Sequence, residues 1–242
     1  MTRIVLYQPP GEGALSYSPY CNKVRWALEL KRLPFESVTT TAFRRESRTG
    51  KLPVLALDGE RVHDSTEIVH RLEGLQPDPA LVPHDPRLAA QVALLEAWAD
   101  ESLCALVTYE RARDPDARRR MVSSILAFKR LPAVFAPLVE RRLRRSGRNR
   151  YGHLLAHGPA VVRAELLRHL DVVDRIADGR EWLVGAAPTL ADVAVAACFH
   201  VARIGRVAEV LSLIVARPHA RAWFDRFLAR VDASRRAAAE AA

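Results

Sequence analysis

Four prolines, Pro77, Pro79, Pro83 and Pro86, crowd the stretch from Gln76 to Pro86 and leave two unlike parts on either side. Proline lacks a backbone donor and fixes φ, so no regular element runs through such a segment. Before it, strand and helix signals alternate; after it, the hydrophobic spacing is helical to the end. The division predicts an α/β unit over residues 1–75, a linker over 76–86 and an all-α bundle over 87–242.

In the first part Ile4–Gln8 reads as a strand. Pro19–Lys31 reads as a helix with Cys21, Val24, Ala27 and Leu28 on one apolar face. Phe35–Thr40 is a second strand, and 42–49 a short irregular helix or loop. Val54–Leu57 and Arg61–His63 are strands joined by the hairpin dipeptide Asp58-Gly59, followed by a helix over Ser65–Leu72. In the second part helices are expected over Leu88–Arg113, Ala117–Arg145 (broken or kinked near Pro132 and Pro137), Val161–Ala177, Leu190–Val201, Val207–Val215 and Ala220–Arg236.

Composition narrows the function classes. The net charge of +9 invites a nucleic-acid reading, but the one dense block, Arg141–Arg150, has no interleaved aromatic side chains to stack bases. A solvated arginine-rich helix end is the simpler account, and no nucleic-acid partner is expected. The longest apolar runs, such as Val193–Cys198, fall far short of the ~20 residues of a membrane span. No secretory leader is read at the start, so the expected location is cytoplasmic. Cys21, Cys104 and Cys198 are odd in number and widely spaced, which argues against a disulfide framework or a zinc site. His153 and His157 stand at i, i+4 without the acidic residue of a metalloprotease motif, and no metal is expected.

Four short motifs carry the chemistry. Ser18-Pro19-Tyr20-Cys21-Asn22-Lys23-Val24-Arg25 places a capping hydroxyl and a first-turn proline at the start of the first helix, where anions and thiolates are stabilised. Leu52-Pro53-Val54 sets a proline before a strand. A cis bond there would expose the Val54 backbone to an extended peptide, whereas an ordinary edge-strand proline is the simpler reading of the residues alone. Asp64-Ser65 opens the next helix, with Ser65 as its cap and Asp64 able to accept from an ammonium group. Thr189-Leu190-Ala191-Asp192 reads as a structural capping box.

Together these motifs resemble the glutathione transferase superfamily, over nearly the whole chain. Ser18–Val24 matches its Ser-Pro-x-x-x-[Lys/Arg]-Val motif, and Leu52–Leu55 its Leu-Pro-x-Leu turn. Asp64–Ile68 matches its acidic-Ser-x-x-Ile motif, and Thr189–Asp192 its core-helix capping box. The resemblance implies a thioredoxin-like first domain with a mixed four-stranded sheet, a helical second domain and a homodimer. It further implies conjugation of glutathione to a small hydrophobic electrophile, a detoxification chemistry without a metal. Ser18 would then donate to the glutathione sulfur, Val54 would pair with the cysteinyl backbone with Leu52 and Pro53 also in the glutathione-binding set, Lys51 would face the glycyl carboxylate, and Asp64 with Ser65 would hold the γ-glutamyl head. Tyr7, at the end of the first strand, occupies the place some transferases fill with a tyrosine, although a core or loop tyrosine is its simpler account.

Two alternatives come with the resemblance. The long Pro9–Tyr17 connection looks like the metaxin-related branch, which implies a non-catalytic binding or regulatory protein. Ser18-Pro-Tyr-Cys21 also resembles the glutaredoxin motif with its first cysteine replaced, which implies a glutathione-dependent thiol oxidoreductase working through Cys21. A buried structural thiol is the alternative for that residue.

Overall fold

A computed structural model describes residues 2–240, apart from the side chains at positions 146–153, 155 and 239. His153, and the end of the arginine-rich block at 146–150, therefore lie outside the described residues. The first part contains β1 (Ile4–Gln8), a small hairpin β2 (Gly11–Glu12) and β3 (Leu15–Ser16), α1 (Pro19–Leu30), β4 (Glu36–Thr39), α2 (Phe43–Glu46), β5 (Val54–Leu57), β6 (Glu60–His63) and α3 (Ser65–Leu75). The main sheet has the order β4-β1-β5-β6, with β4 parallel to β1 and the other pairs antiparallel. It is the mixed four-stranded sheet of a thioredoxin-like unit. The apolar run Val54–Leu57 is wholly buried because β5 is an inner strand, while β4, at the edge, is exposed along its length.

Helix α1 departs from the one-faced helix that its sequence predicts. Every residue except Tyr20 is buried, the polar Asn22, Lys23, Arg25 and Glu29 included. One side lies on the first part and the other meets two helices of the second part, α9 (Leu190–Ile204) and α11 (Pro218–Glu240). Each of these four side chains has a partner, as burial requires, although the Arg25 Nε has none among the described residues. Asn22 exchanges two 2.9 Å hydrogen bonds with the Ser16 backbone, Arg25 donates to Ser37 at 2.8 Å, and Glu29 pairs with Arg235 at 3.0 Å. The Asn22 bonds also pin the β2–β3 hairpin, which the sequence hides in an unstructured connection. Gly11 is required in that hairpin, since a Cβ there would stand 1.8 Å from the Leu15 carbonyl oxygen.

The remaining helices are α4 (Pro86–Trp98), α5 (Cys104–Arg113), α6 (Pro115–Lys129), α7 (Ala136–His157), α8 (Pro159–Ala177) and α10 (Ala208–Val215). The single helix expected over Leu88–Arg113 is interrupted by a π-helical turn, Ala99–Leu103. Pro132 lies in the break between α6 and α7, whereas Pro137 falls in the first turn of α7, where its missing N–H is not needed. Helix α9 is buried on all sides but for Arg203, as expected of the central helix of a bundle.

His200 on α9 packs edge-on against Trp26 with ring centroids 5.2 Å apart. Burial, aided by Arg203, lowers its pKa to about 4. A depressed folded-state pKa gives stability that is present above the ordinary value of 6.5 and lost as pH falls towards 4. The drop should reach about 3 kcal/mol over that window. Urea unfolding of the His200→Gln variant should show a flatter stability profile between pH 6.5 and 4 than the parent; equal slopes would remove His200 as the cause.

Candidate functional site

The topology brings three loops to one end of the main sheet. Tyr7, near the end of β1, is opposite Val54 at the start of β5, and Val54 is opposite His63 at the end of β6. The chain leaving β1 leads to Ser18, the chain entering β5 carries Lys51, Leu52 and Pro53, and the chain leaving β6 carries Asp64 and Ser65. Helices α1 and α3 start from this end and touch near their beginnings, where Lys23 Nζ donates to Thr66 Oγ1 at 3.1 Å. Two positive helix ends therefore lie at the same end of the sheet, an arrangement that favours anions.

Ser18 is the N-cap of α1, with Pro19 at the first helical position. Its Oγ accepts from Cys21 N at 3.4 Å and donates to no group among the described residues, so its proton is available to an incoming acceptor. Its own N–H donates to Ser16 Oγ at 3.1 Å, which fixes the backbone approach to the helix. Cys21, one turn on, is 0% exposed in the core under α1. Tyr7 lies beneath the Arg61 guanidinium, 5.1 Å from its ring centroid, as part of the sheet's outer layer.

The Leu52–Pro53 peptide is cis, as is Asp78–Pro79 in the linker. Val54, however, lies inside the ladder between β1 and β6 and offers no free strand edge. Leu52, two residues earlier, belongs to no ladder, so the backbone that an extended peptide could pair with is that of Leu52 and not, as the sequence predicts, that of Val54. Lys51 is exposed beside it, with its N–H donating to Thr49 Oγ1 at 3.3 Å.

The cap of α3 is also shifted by one residue. Asp64, at φ 77°, is the N-cap and its Oδ1 accepts from Thr66 N at 2.9 Å and Glu67 N at 3.3 Å, while Ser65 is the first helical residue and is buried. The sequence placed the cap at Ser65 because either side chain can fill that role, and only the backbone turn decides between them.

Between α1, α3 and α4 lies a buried ionic cluster that the motifs do not announce. Lys23 Nζ contacts Glu96 Oε1 at 2.5 Å and Asp100 Oδ2 at 2.7 Å, and Thr66 Oγ1 donates to the same Glu96 oxygen at 2.7 Å. Tyr20 Oη donates to the Asp100 carbonyl at 3.0 Å. Burial alone would lower the Lys23 pKa, but Asp100 and Glu96 together carry it above its ordinary value. Burial raises the Asp100 carboxyl, and Lys23 only partly opposes this. The polar Thr66 is thereby explained as the link from α3 to α4, and the π-helical turn holds Asp100 in the same cluster. In the second part the Asp192 carboxylate accepts from Thr189 N at 2.8 Å, Thr189 Oγ1 at 2.9 Å, Leu183 N at 2.9 Å and Trp223 Nε1 at 2.8 Å. Thr189 and Asp192 do form a capping box, and it also anchors a loop and α11.

Among the described residues no group of three or more His, Cys, Asp or Glu side chains could hold a metal ion, and no helix is long and apolar enough to cross a membrane.

Residues 14–80 match the model of the glutathione S-transferase N-terminal domain, and residues 128–230 that of the glutathione S-transferase C-terminal domain. A glutathione S-transferase from Rhodospirillum rubrum F11 is similar at 26% identity and TM-score 0.64, covering 91% of this chain and 86% of that one. A second, from Methylobacterium radiotolerans and solved in complex with glutathione sulfonate, is 27% identical at TM-score 0.55, covering 92% and 95% of the two chains. The protein Failed axon connections of Drosophila melanogaster is 30% identical over 200 residues, which are 74% of this chain and 44% of that protein. The chain spans less than half the length of the curated relatives it matches.

Proposed function

The chain belongs to the glutathione S-transferase superfamily, and from that premise we propose that it binds glutathione at the end of the sheet where α1 and α3 begin and transfers it to a small electrophile. The observation that carries the reading is the convergence of Ser18, the Leu52–Pro53 turn and Asp64-Ser65 at one end of the sheet, on two helix N-termini. In this reading the Ser18 hydroxyl donates to the glutathione sulfur, and the backbone of Leu52, which belongs to no ladder, pairs with the cysteinyl residue. Lys51 meets the glycyl carboxylate, and Asp64 with the Ser65 amide meets the γ-glutamyl ammonium and carboxylate. A free thiol has a pKa near ~8.5, and the helix end with a charge-assisted hydrogen bond supplies about 2–4 kcal/mol in favour of the thiolate, enough to bring it near neutrality. The thiolate then attacks the electrophile, and the thiol proton passes to water.

The complete burial of Cys21 speaks against the thiol oxidoreductase alternative, because a disulfide-exchanging thiolate needs an approach for its partner. The non-catalytic alternative is decided by experiment. The full chain should be retained on immobilised glutathione and should turn over 1-chloro-2,4-dinitrobenzene with glutathione. Ser18→Ala should lower kcat by about 10²-fold while weakening glutathione binding far less, and should raise the pH at which the bound thiolate appears in the ultraviolet spectrum. Retention without turnover would turn the reading to a binding protein; neither retention nor turnover would end it.

A further inference from the structure

We infer that the turn joining α6 to α7 is a membrane-docking tip and that its partner is a lipid surface carrying anionic headgroups. Positions 127–135 are exposed without a break and include Phe128, Leu131, Val134 and Phe135, and Leu138 follows in the first turn of α7. Val134 is 78% exposed and Leu138 62%. Single apolar side chains on a surface are ordinary; five large ones between positions 128 and 138 mark an interaction site.

The tip is built rather than loose. Arg130 is left-handed at φ 52°, its N–H donates to the Ala127 carbonyl at 3.1 Å, and the Leu131 N–H donates to the Leu126 carbonyl at 2.9 Å, the Schellman closure of a helix. A tight helical turn, Ala133–Phe135, follows, in which the Phe135 N–H donates to the Pro132 carbonyl at 3.1 Å and the Ala136 N–H to the Ala133 carbonyl. Pro132 and Pro137 have no N–H to satisfy. With most of its donors engaged or missing, this backbone enters a layer of low dielectric at small cost.

Charge selects the partner. No acidic residue occurs over positions 127–139, and the exposed Lys129, Arg130, Arg141, Arg142, Arg144 and Arg145 accompany the apolar residues against the single Glu140. Glu140 is taken up by Arg144 at 2.7 Å and by Arg118 of α6 at 3.1 Å; the other basic side chains of the tip form no ion pair among the described residues. Arg141 and Arg145 stand about 8–14 Å along α7 from Ala136 at 1.5 Å per residue, close to the ~5–10 Å by which interfacial apolar groups sink below the headgroups. Lys129 and Arg130, nearer the end, reach back to the headgroups along their own apolar stems. A protein partner would need an acidic rim around an apolar pocket of matching shape, whereas an anionic bilayer offers both without a fitted shape. Docking of this kind is independent of glutathione transfer.

The test is co-sedimentation of the full chain with phosphatidylcholine vesicles, with and without about 30% phosphatidylglycerol. The anionic vesicles should bind at least about tenfold more tightly than the neutral ones, and salt at about 0.5 M should weaken the binding. The double variant Val134→Ser/Leu138→Ser should weaken it about tenfold, and Arg141→Gln/Arg142→Gln/Arg145→Gln about 10²-fold, both with the parent's thermal midpoint because every position is exposed. The three native cysteines are buried, so an environment-sensitive dye on Val134→Cys reports the tip alone, and its emission should shift to the blue on anionic vesicles. No binding to anionic vesicles overturns the inference. Binding that the serine variant leaves unchanged, with no shift of the dye, is adsorption by charge alone and overturns it as well. Self-association of the chain that the serine variant abolishes, without vesicle binding, gives the apolar end to a second copy and overturns it too.

Discussion

Replacing Lys23 by methionine should destabilise the protein by about 3–5 kcal/mol, because it leaves Glu96 and Asp100 buried without a cation. The three charges are enclosed, with side-chain exposures of 1% for Lys23, 8% for Glu96 and 14% for Asp100, so solvent cannot take over the role of the ammonium group. The loss comes from stranding two carboxylates rather than from the intrinsic worth of the ion pairs. Glu96→Gln and Asp100→Asn added to the Lys23→Met background should therefore restore a large part of it. The sign of the pH dependence follows from the directions of the shifts. A carboxyl raised in the folded state favours folding at low pH, and that stability disappears as pH rises through its folded pKa. Asp100 is already raised with Lys23 present and goes further up without it. The deficit of Lys23→Met relative to the parent should thus be larger at pH 8 than at pH 5, with the His200 contribution common to both proteins. Urea midpoints at the two values check this; a deficit below about 1 kcal/mol at pH 8 would mean that the cluster is solvated.

Asp192→Ala is the second large expectation, at about 4 kcal/mol or more, from four buried donors deprived of one acceptor. The comparison with Thr189→Ala separates capping from anchoring. Thr189→Ala removes one hydroxyl bond and should cost about 1 kcal/mol. Asp192→Ala removes in addition the acceptors of Leu183 N and Trp223 Nε1, so it loosens the loop before α9 and the start of α11 together. Asp192→Asn should fall between the two, because one face of the amide still accepts while the other turns donors towards donors. The Trp223 indole N–H, followed by hydrogen exchange, should become exchangeable in Asp192→Ala well before global unfolding. Equal midpoints for Asp192→Ala and Thr189→Ala would reduce the carboxylate to an ordinary helix cap.

Local features of the chain were readable wherever neighbours in sequence decide the outcome. The proline-rich break, the periodicity of Ile4–Gln8 and Val54–Leu57, and Ser18-Pro19 ahead of a helical run are all settled within a few residues. The misplacements have local causes too. Asp64 and Ser65 are both good caps, and only the positive φ of Asp64 selects it; Val54 and Leu52 flank the same proline, and only sheet order shows which has a free backbone. What was not readable was long-range. Glu96 lies 73 residues from Lys23, and nothing in the pattern around either residue shows that an amphipathic α1 is to be covered on its polar side as well. A cleft lined by Glu12, Tyr17, Arg119, Arg120 and Arg206 is of the same kind: its arginines look dispersed in the sequence until α6 and the α9–α10 turn meet the β2–β3 hairpin.

Helix α1 has almost no face turned to solvent, and this bears on how far the two halves are separable as pieces of protein. Cutting at the linker would leave residues 1–75 with Trp26 bared and Lys23 and Glu29 stripped of Asp100, Glu96 and Arg235, and would leave α9 and α11 without the helix that closes them. The boundary that is sharp in the sequence is thus not a boundary in stability. Both halves should melt in one transition, and recombination of this first half with the second half of a relative should succeed only when the partners of α1 are carried across with it.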